Sequence, residues 1–265
     1  MNSANKLGKA LITGASTGIG AIYADRLAKR GYDLILVARD KVKLESVAKK
    51  IKAVSEVEVD VISADLTTKD QLMQIENLLR SDNSISLLLN NAGLGAVTAL
   101  AESNMDEIET MISLNVIALT RLSAAITPNL IARGNGTIIN IASVVALSPE
   151  MLNGAYSGSK AYVLNFTQSM HHELADKGIR VQAVLPGAID TPFWDKGGLP
   201  INNLPSQIVM QPDILVDAAL AGFDLGEVIT IPSLPNIEDW HAFESARKAL
   251  GPNLSHTVPA NRYLS

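Results

Sequence analysis

Tyr156 and Lys160 stand four positions apart in the run Tyr156-Ser157-Gly158-Ser159-Lys160. Helical residues at that spacing share a face, so a phenol and an ammonium would point into one site. A free phenol titrates near ~10. A neighbouring cation favours the phenolate and draws that value toward neutrality, which makes the tyrosine usable as proton donor and acceptor. A tyrosine four residues before a lysine is common, and Ser143 gives the pair its weight. It follows the apolar run GTIINIA, residues 136–142. If that run is a strand of a parallel sheet, Ser143 lies at the carboxyl edge, where such sheets hold ligands. Its hydroxyl could then fix a carbonyl oxygen beside the phenol. The chemistry would be proton transfer to that oxygen as hydride reaches the carbon.

A hydride source is implied near the start of the chain. Thr13-Gly14-Ala15-Ser16-Thr17-Gly18-Ile19-Gly20 joins a short apolar run to a helical pattern. Gly14 permits a tight turn, Gly18 lets backbone approach a pyrophosphate, and Gly20 lets helix and strand close on each other. The N–H groups opening the helix then attract phosphates. The next strand ends in Val37-Ala38-Arg39-Asp40, about 20 residues on, where the cofactor ribose is selected. A carboxylate there would accept from a free 2′-hydroxyl, whereas Arg39 pairs with a 2′-phosphate. NADP(H) is therefore expected over NAD(H), with Asp40 as cap of the following helix.

These groups need a scaffold, and strand-like and helix-like segments alternate from the first residues onward. Strands are expected at 9–13, 33–38, 57–63, 85–89, 136–142, 179–185 and 227–231. Helices are expected at 19–30, 41–53, 69–79, 105–131 (one long helix), 155–176, 213–224 and 238–250. The strands are apolar on both faces, as in a parallel sheet between helix layers, and the alternating order predicts a doubly wound α/β Rossmann-like fold in three layers. One domain over 1–265 is expected. The irregular stretch 187–212, holding Pro192, Gly197, Gly198, Pro200, Pro205 and Pro212, reads as a substrate lid over about 187–211. A C-terminal extension covers about 232–265. Met151 and Leu152 lie between Ser143 and Tyr156 and read as pocket walls. With Val144, Val145, Leu147, Phe193 and Trp194 they suit an apolar ketone or aldehyde.

Composition excludes several alternatives. The 265 residues are 47% hydrophobic, carry a formal net charge of −5 and contain no cysteine. Disulfides and thiolate catalysis are ruled out, and without a basic stripe nucleic acid is not an expected partner. No run of apolar residues approaches the ~20 needed to cross a bilayer. The opening residues lack the apolar stretch of a signal peptide, so a cytoplasmic protein without membrane contact is expected. His171 and His172 are adjacent and point apart, unlike a helical pair of metal ligands. No metal site is expected.

The chain resembles the short-chain dehydrogenase/reductase family in TGASTGIG at 13–20, Asp65-Leu66, NNAG at 90–93, Asn115, Ser143, YSGSK at 156–160 and PGAIDT at 186–191. The spacing TGxxxGxG is similar to its single-domain reductase branch. The resemblance implies catalysis by Asn115, Ser143, Tyr156 and Lys160. Asn115 would hold a water linking Lys160 to solvent, and Lys160 would also bond the nicotinamide ribose. It implies that Asp65, beside Leu66, bonds the adenine amino group. Asn91, Ala92 and Gly93 would line the adenosine and brace the sheet. After the Pro186-Gly187 turn, Ile189 and Thr191 would contact the carboxamide. A homodimer or homotetramer is implied, through helices starting near Met105 and Ala155. Two other readings of the same residues are an NADPH-binding regulator or scaffold without turnover and a 3-oxoacyl thioester reductase.

Overall fold

The computed structural model describes residues 7–194 and 199–264. Gly197 and Gly198 of the expected lid, and the opening residues weighed against a signal peptide, lie outside them. Residues up to Pro232 form one compact unit, and residues from Ser233 onward form a second, smaller one.

The first unit is built on β1 (Lys9–Thr13), β2 (Asp33–Ala38), β3 (Val59–Ser63), β4 (Ile85–Asn90), β5 (Gly136–Ile141), β6 (Ile179–Val184) and β9 (Ile229–Thr230). These pair in the order β3-β2-β1-β4-β5-β6-β9, every pairing parallel. Successive strand residues face opposite sides, so each strand feeds two cores. Ile12, Leu34, Leu36 and Leu89 pack with Tyr23 and Leu27 of α1 (Gly18–Lys29), Leu44 of α2 (Lys41–Lys52) and Leu220 of α7 (Pro212–Leu225). On the other face Leu11, Ile35, Val37 and Leu88 pack with Ile75 of α3 (Lys69–Ser81), Leu122 of α5 (Leu119–Arg133) and Met170 of α6 (Gly154–Leu174). This is the expected three-layer Rossmann-like fold.

The sheet order turns back between β1 and β4, and a crevice opens there at the carboxyl ends of the strands. The β1 turn, the end of β2, Asn90 and Ser143 converge on it. The edges of the predicted elements hold to within a few residues, with two informative departures. Within the expected lid, β7 (Ala188–Ile189) and β8 (Val209–Met210) pair in parallel and tie its two ends together. Between α4 (Met105–Ile112) and α5, Ser113–Ala118 form a π-helical turn, so the expected single helix is interrupted at Asn115. This run also corrects the membrane argument. Met105–Arg133 is long and apolar enough by composition to cross a bilayer, but Ala118, Leu122, Ala125, Ile126 and Leu130 are spent on the sheet core.

In the second unit, α8 (Ile237–Ala249) is capped by Asn236, whose side chain accepts from Glu238 N. Trp240 and Phe243 stack on it with ring centroids 5.5 Å apart. Short turns at Gly251–Asn253 and Asn261–Tyr263 complete it.

Candidate active site

The N-terminus of α6 presents Tyr156 and Lys160, both buried. Asn153 starts the helix by accepting from Ala155 N at 2.8 Å, and its Nδ2 donates to Thr98 O and Ser103 Oγ. It thereby ties the loop after β4 to the first turn of the tyrosine helix. Ser143, capping a short turn after β5, accepts from Val145 N at 3.3 Å and donates to Pro186 O. It also hydrogen-bonds the Tyr156 phenol.

The electrostatics correct one expectation. Burial pushes the phenol up to about 12, opposed by the bond to Ser143, with no relief from Lys160. The ammonium lies 5.9 Å from the ring centroid and donates to Ile141 O at 2.9 Å. Burial pulls the lysine itself down to about 8. Desolvation penalises both charged forms, and it is the leading cause of both shifts. Tyr156 is held as the neutral acid, ready to donate.

Asn115 sits in the π-helical turn, buried against the loop after β4. Both Nδ2 protons are used, on Leu94 O at 2.9 Å and Ser159 Oγ at 3.1 Å, and Oδ1 accepts from Leu94 N at 2.9 Å. One Oδ1 lone pair remains. Gly93 lies between the two polar groups, because a Cβ there would be 3.2 Å from Asn115 Oδ1 and 3.7 Å from Lys160 Nζ.

The glycine turn has the geometry of a phosphate cradle. Gly14 and Gly18 have φ of +67° and +54°, where side chains are strained. A Cβ on Gly20 would lie 2.4 Å from Gly14 O. Thr17 precedes α1 without a side-chain cap bond, and no acidic residue occupies the first turn, which leaves N–H groups open to an anion. Ser16 and Ile19 complete the turn. Asn91 braces it, with Nδ2 donating to Thr13 O and Gly14 O, while the N–H groups of Asn91 and Ala92 both bond Thr13 Oγ1 at 3.0 Å. A Cβ on Gly18 would meet Thr191 at 3.1 Å, so the segment after Pro186-Gly187 closes over the turn. Arg39 is exposed at the end of β2, 3.9 Å from Asp65 Oδ2. Asp65 Oδ1 accepts from Thr67 N and Oγ1. Burial acts to raise its pKa, but these bonds and Arg39 hold it below the usual value. Leu66 beside it is buried. Asp40 caps α2, accepting from Lys43 N.

An apolar wall stands against Tyr156. Ile108, Met111, Val145 and Tyr156 form its buried part, and Leu94, Ala96, Leu152, Ala155 and Phe193 pack on it. Met151, a proposed wall, is instead 57% exposed. Leu94, Ala96 and Ile108 were not legible as wall residues, since nothing in their spacing points to a site. Asn90, the first residue of the NNAG motif, and Asn140 bond each other at 2.9 Å and reach Ser123 and Thr167 in a buried chain from α5 to α6, a link that sequence spacing does not show.

Comparison with known proteins decides the relationship. The family model for short chain dehydrogenases matches residues 8–198. The chain belongs to the short-chain dehydrogenase/reductase family. A short-chain dehydrogenase from Sphingobium yanoikuyae, solved in complex with NADPH, superposes with a TM-score of 0.94 at 45% identity, covering 97% of this chain and 99% of that one. The bulky-bulky ketone specific alcohol dehydrogenase from Comamonas testosteroni gives 0.91 at 44% identity, over 98% and 100%. Matches this complete take in most of the C-terminal unit as well. An uncharacterized oxidoreductase of Staphylococcus saprophyticus is 36% identical over 185 residues, 69% of this chain and 79% of that protein. A very-long-chain 3-oxoacyl-CoA reductase of Danio rerio is 35% identical, but this chain spans 62% of its length. This short-chain dehydrogenase/reductase is thus an oxidoreductase acting on CH–OH groups, with a nucleotide-binding Rossmann-like fold.

Proposed function

We propose that the enzyme uses NADPH to reduce an apolar ketone or aldehyde, with Tyr156 as the acid. The observation that carries this is a buried, neutral phenol bonded to Ser143 and backed by Leu94, Val145, Leu152 and Phe193. The relatives solved with NADPH and named for ketone specificity support the same direction.

NADPH, bound over the glycine turn, would supply hydride to the carbonyl carbon. The turn at 14–20 would hold its phosphates, Arg39 the 2′-phosphate and Asp65 the adenine. Asn91, Ala92 and Gly93 would line the adenosine side, and Pro186, Gly187, Ile189 and Thr191 the nicotinamide side. Ser143 orients the carbonyl oxygen toward the phenol, and Tyr156 gives that oxygen its proton as negative charge develops. Lys160 would bond the nicotinamide ribose, and the free lone pair of Asn115 would face the lysine through the gap at Gly93, where a water could pass a proton. The reverse path oxidises the alcohol. We further propose a cytoplasmic homo-oligomer, joined through the exposed apolar residues Ile112, Ile117 and Tyr162 of the α4–α5 run and α6.

The test is NADPH and NADH consumption with a panel of apolar ketones and aldehydes, for wild type and Tyr156→Phe. Turnover that prefers NADPH and falls by about 10²–10⁴ in the variant supports the proposal. Tight NADPH binding without turnover on any carbonyl, 3-oxoacyl thioesters included, would instead favour a binding protein of the same fold.

A further inference from the structure

Phe193 is held against the catalytic tyrosine from three directions. Its ring centroid is 6.1 Å from that of Tyr156, and Trp194 meets it edge-on at 5.8 Å. Trp194 is fixed in turn, its Nε1 donating to Ile189 O at 2.8 Å. On the remaining side the tip of the ring abuts Gly95. A Cβ there would be 2.6 Å from Phe193 Cζ and 2.9 Å from Cε1, closer than carbon atoms can approach without repulsion. Gly95 is not among the left-handed glycines, so nothing in its backbone calls for glycine. What requires the missing side chain is the ring.

We propose that Gly95 is a positioning residue for substrate selection. It is the seat that takes the tip of the Phe193 ring and lets it pack tilted against Tyr156, and the seated ring limits the size of the carbonyl substituent on that side. The inference rests on the carbonyl-reducing activity proposed above. A methyl group at Gly95 cannot share the space with the ring. The backbone accepts alanine, so the aromatic side chain must yield by rotating away from Tyr156. Because Trp194 anchors the chain to Ile189, the displacement falls on the ring and not on the backbone segment that faces the nicotinamide side.

The experiment compares wild type, Gly95→Ala, Phe193→Ala and the double variant. Their kcat/KM with NADPH is measured on ketones of graded substituent size, beside NADPH affinity and melting temperature. Each single variant should shift the bulky-to-small ratio of kcat/KM tenfold or more toward bulky ketones, the scale on which a pocket wall discriminates. NADPH affinity should stay constant. In the double variant Gly95→Ala should add nothing to Phe193→Ala, because the ring it displaces is gone. A second readout needs no turnover. In a Trp240→Phe background Trp194 is the single remaining indole, and Gly95→Ala should change its emission while Phe193→Ala abolishes that response. Unchanged Trp194 emission refutes the seat. Changed emission with an unchanged size ratio, or independent effects of the two substitutions, refutes the role in selection. Should Gly95→Ala fail to fold, Phe193→Ala and Phe193→Leu decide the wall by the same ratio. A wild type that reduces no carbonyl refutes the proposed activity and with it the selection, while the emission result still decides the seat.

Discussion

Burying Lys160 costs stability, and replacing it exposes that cost. Burial lowers its pKa from 10.5 to about 8. A shift of that size corresponds to about 3 kcal/mol of penalty for keeping the ammonium inside at neutral pH. Below pH 8 both folded and unfolded chains carry the proton, and the penalty is complete. Between about 8 and 10.5 the unfolded chain binds more protons than the folded one, so stability rises with pH and the penalty is relieved. Lys160→Met removes the penalty but also the bond to Ile141 O; the carbonyl left buried costs roughly 1–3 kcal/mol. At pH 7 the variant should therefore range from equal to wild type to about 2 kcal/mol more stable, though catalytically crippled. The cleaner observable is the difference between the two proteins. It should move by about 3 kcal/mol in favour of wild type from pH 7 to pH 10.5. Tyr156, raised to about 12, makes stability fall with pH above 10, but to first order equally in both proteins. Urea unfolding of each protein at half-unit pH steps gives the difference directly. A difference that stays flat across pH 8–10.5 would show that Lys160 is not desolvated and would refute the argument.

Three further outcomes are expected. Arg39→Ala should cut the preference for NADPH over NADH, measured as the ratio of kcat/KM values, by roughly tenfold or more, the worth of one charge-assisted bond. Gly20→Ala would press a methyl group to 2.4 Å from Gly14 O and 2.5 Å from Asn91 Nδ2, atoms fixed by the brace to Thr13. It should cost about 1–3 kcal/mol by urea midpoint and weaken NADPH binding. Asn153→Ala should uncouple the loop at 98–103 from the tyrosine helix. It should lower kcat more than NADPH affinity, and Asn153→Asp should restore only the cap half of the role, because a carboxylate accepts from Ala155 N but cannot donate to Thr98 O.

The layered fold and most elements of the candidate site could be read from the chain because they depend on local pattern. Short apolar runs such as DLILVA, set between helical patterns, fit the strands of a parallel sheet covered on both faces. A glycine turn between strand and helix has one backbone solution, and the four-residue spacing of Tyr156 and Lys160 puts them on one face wherever the helix lies. What remained hidden depends on contacts between segments far apart in the sequence. The π-helical turn at Asn115 breaks the regular bonding of a strongly helical sequence, and it is sustained by Leu94 and Ser159, which only folding brings near. Gly95 looks like any loop glycine until Phe193, from the connection after β6 almost a hundred residues on, sets the tip of its ring against it. The ionisation of Tyr156 departs from the sequence expectation for the same reason. A neighbouring lysine is visible in sequence, but burial is a sum over the whole surrounding structure. In this protein burial is the leading influence on the phenol, opposed by its bond to Ser143.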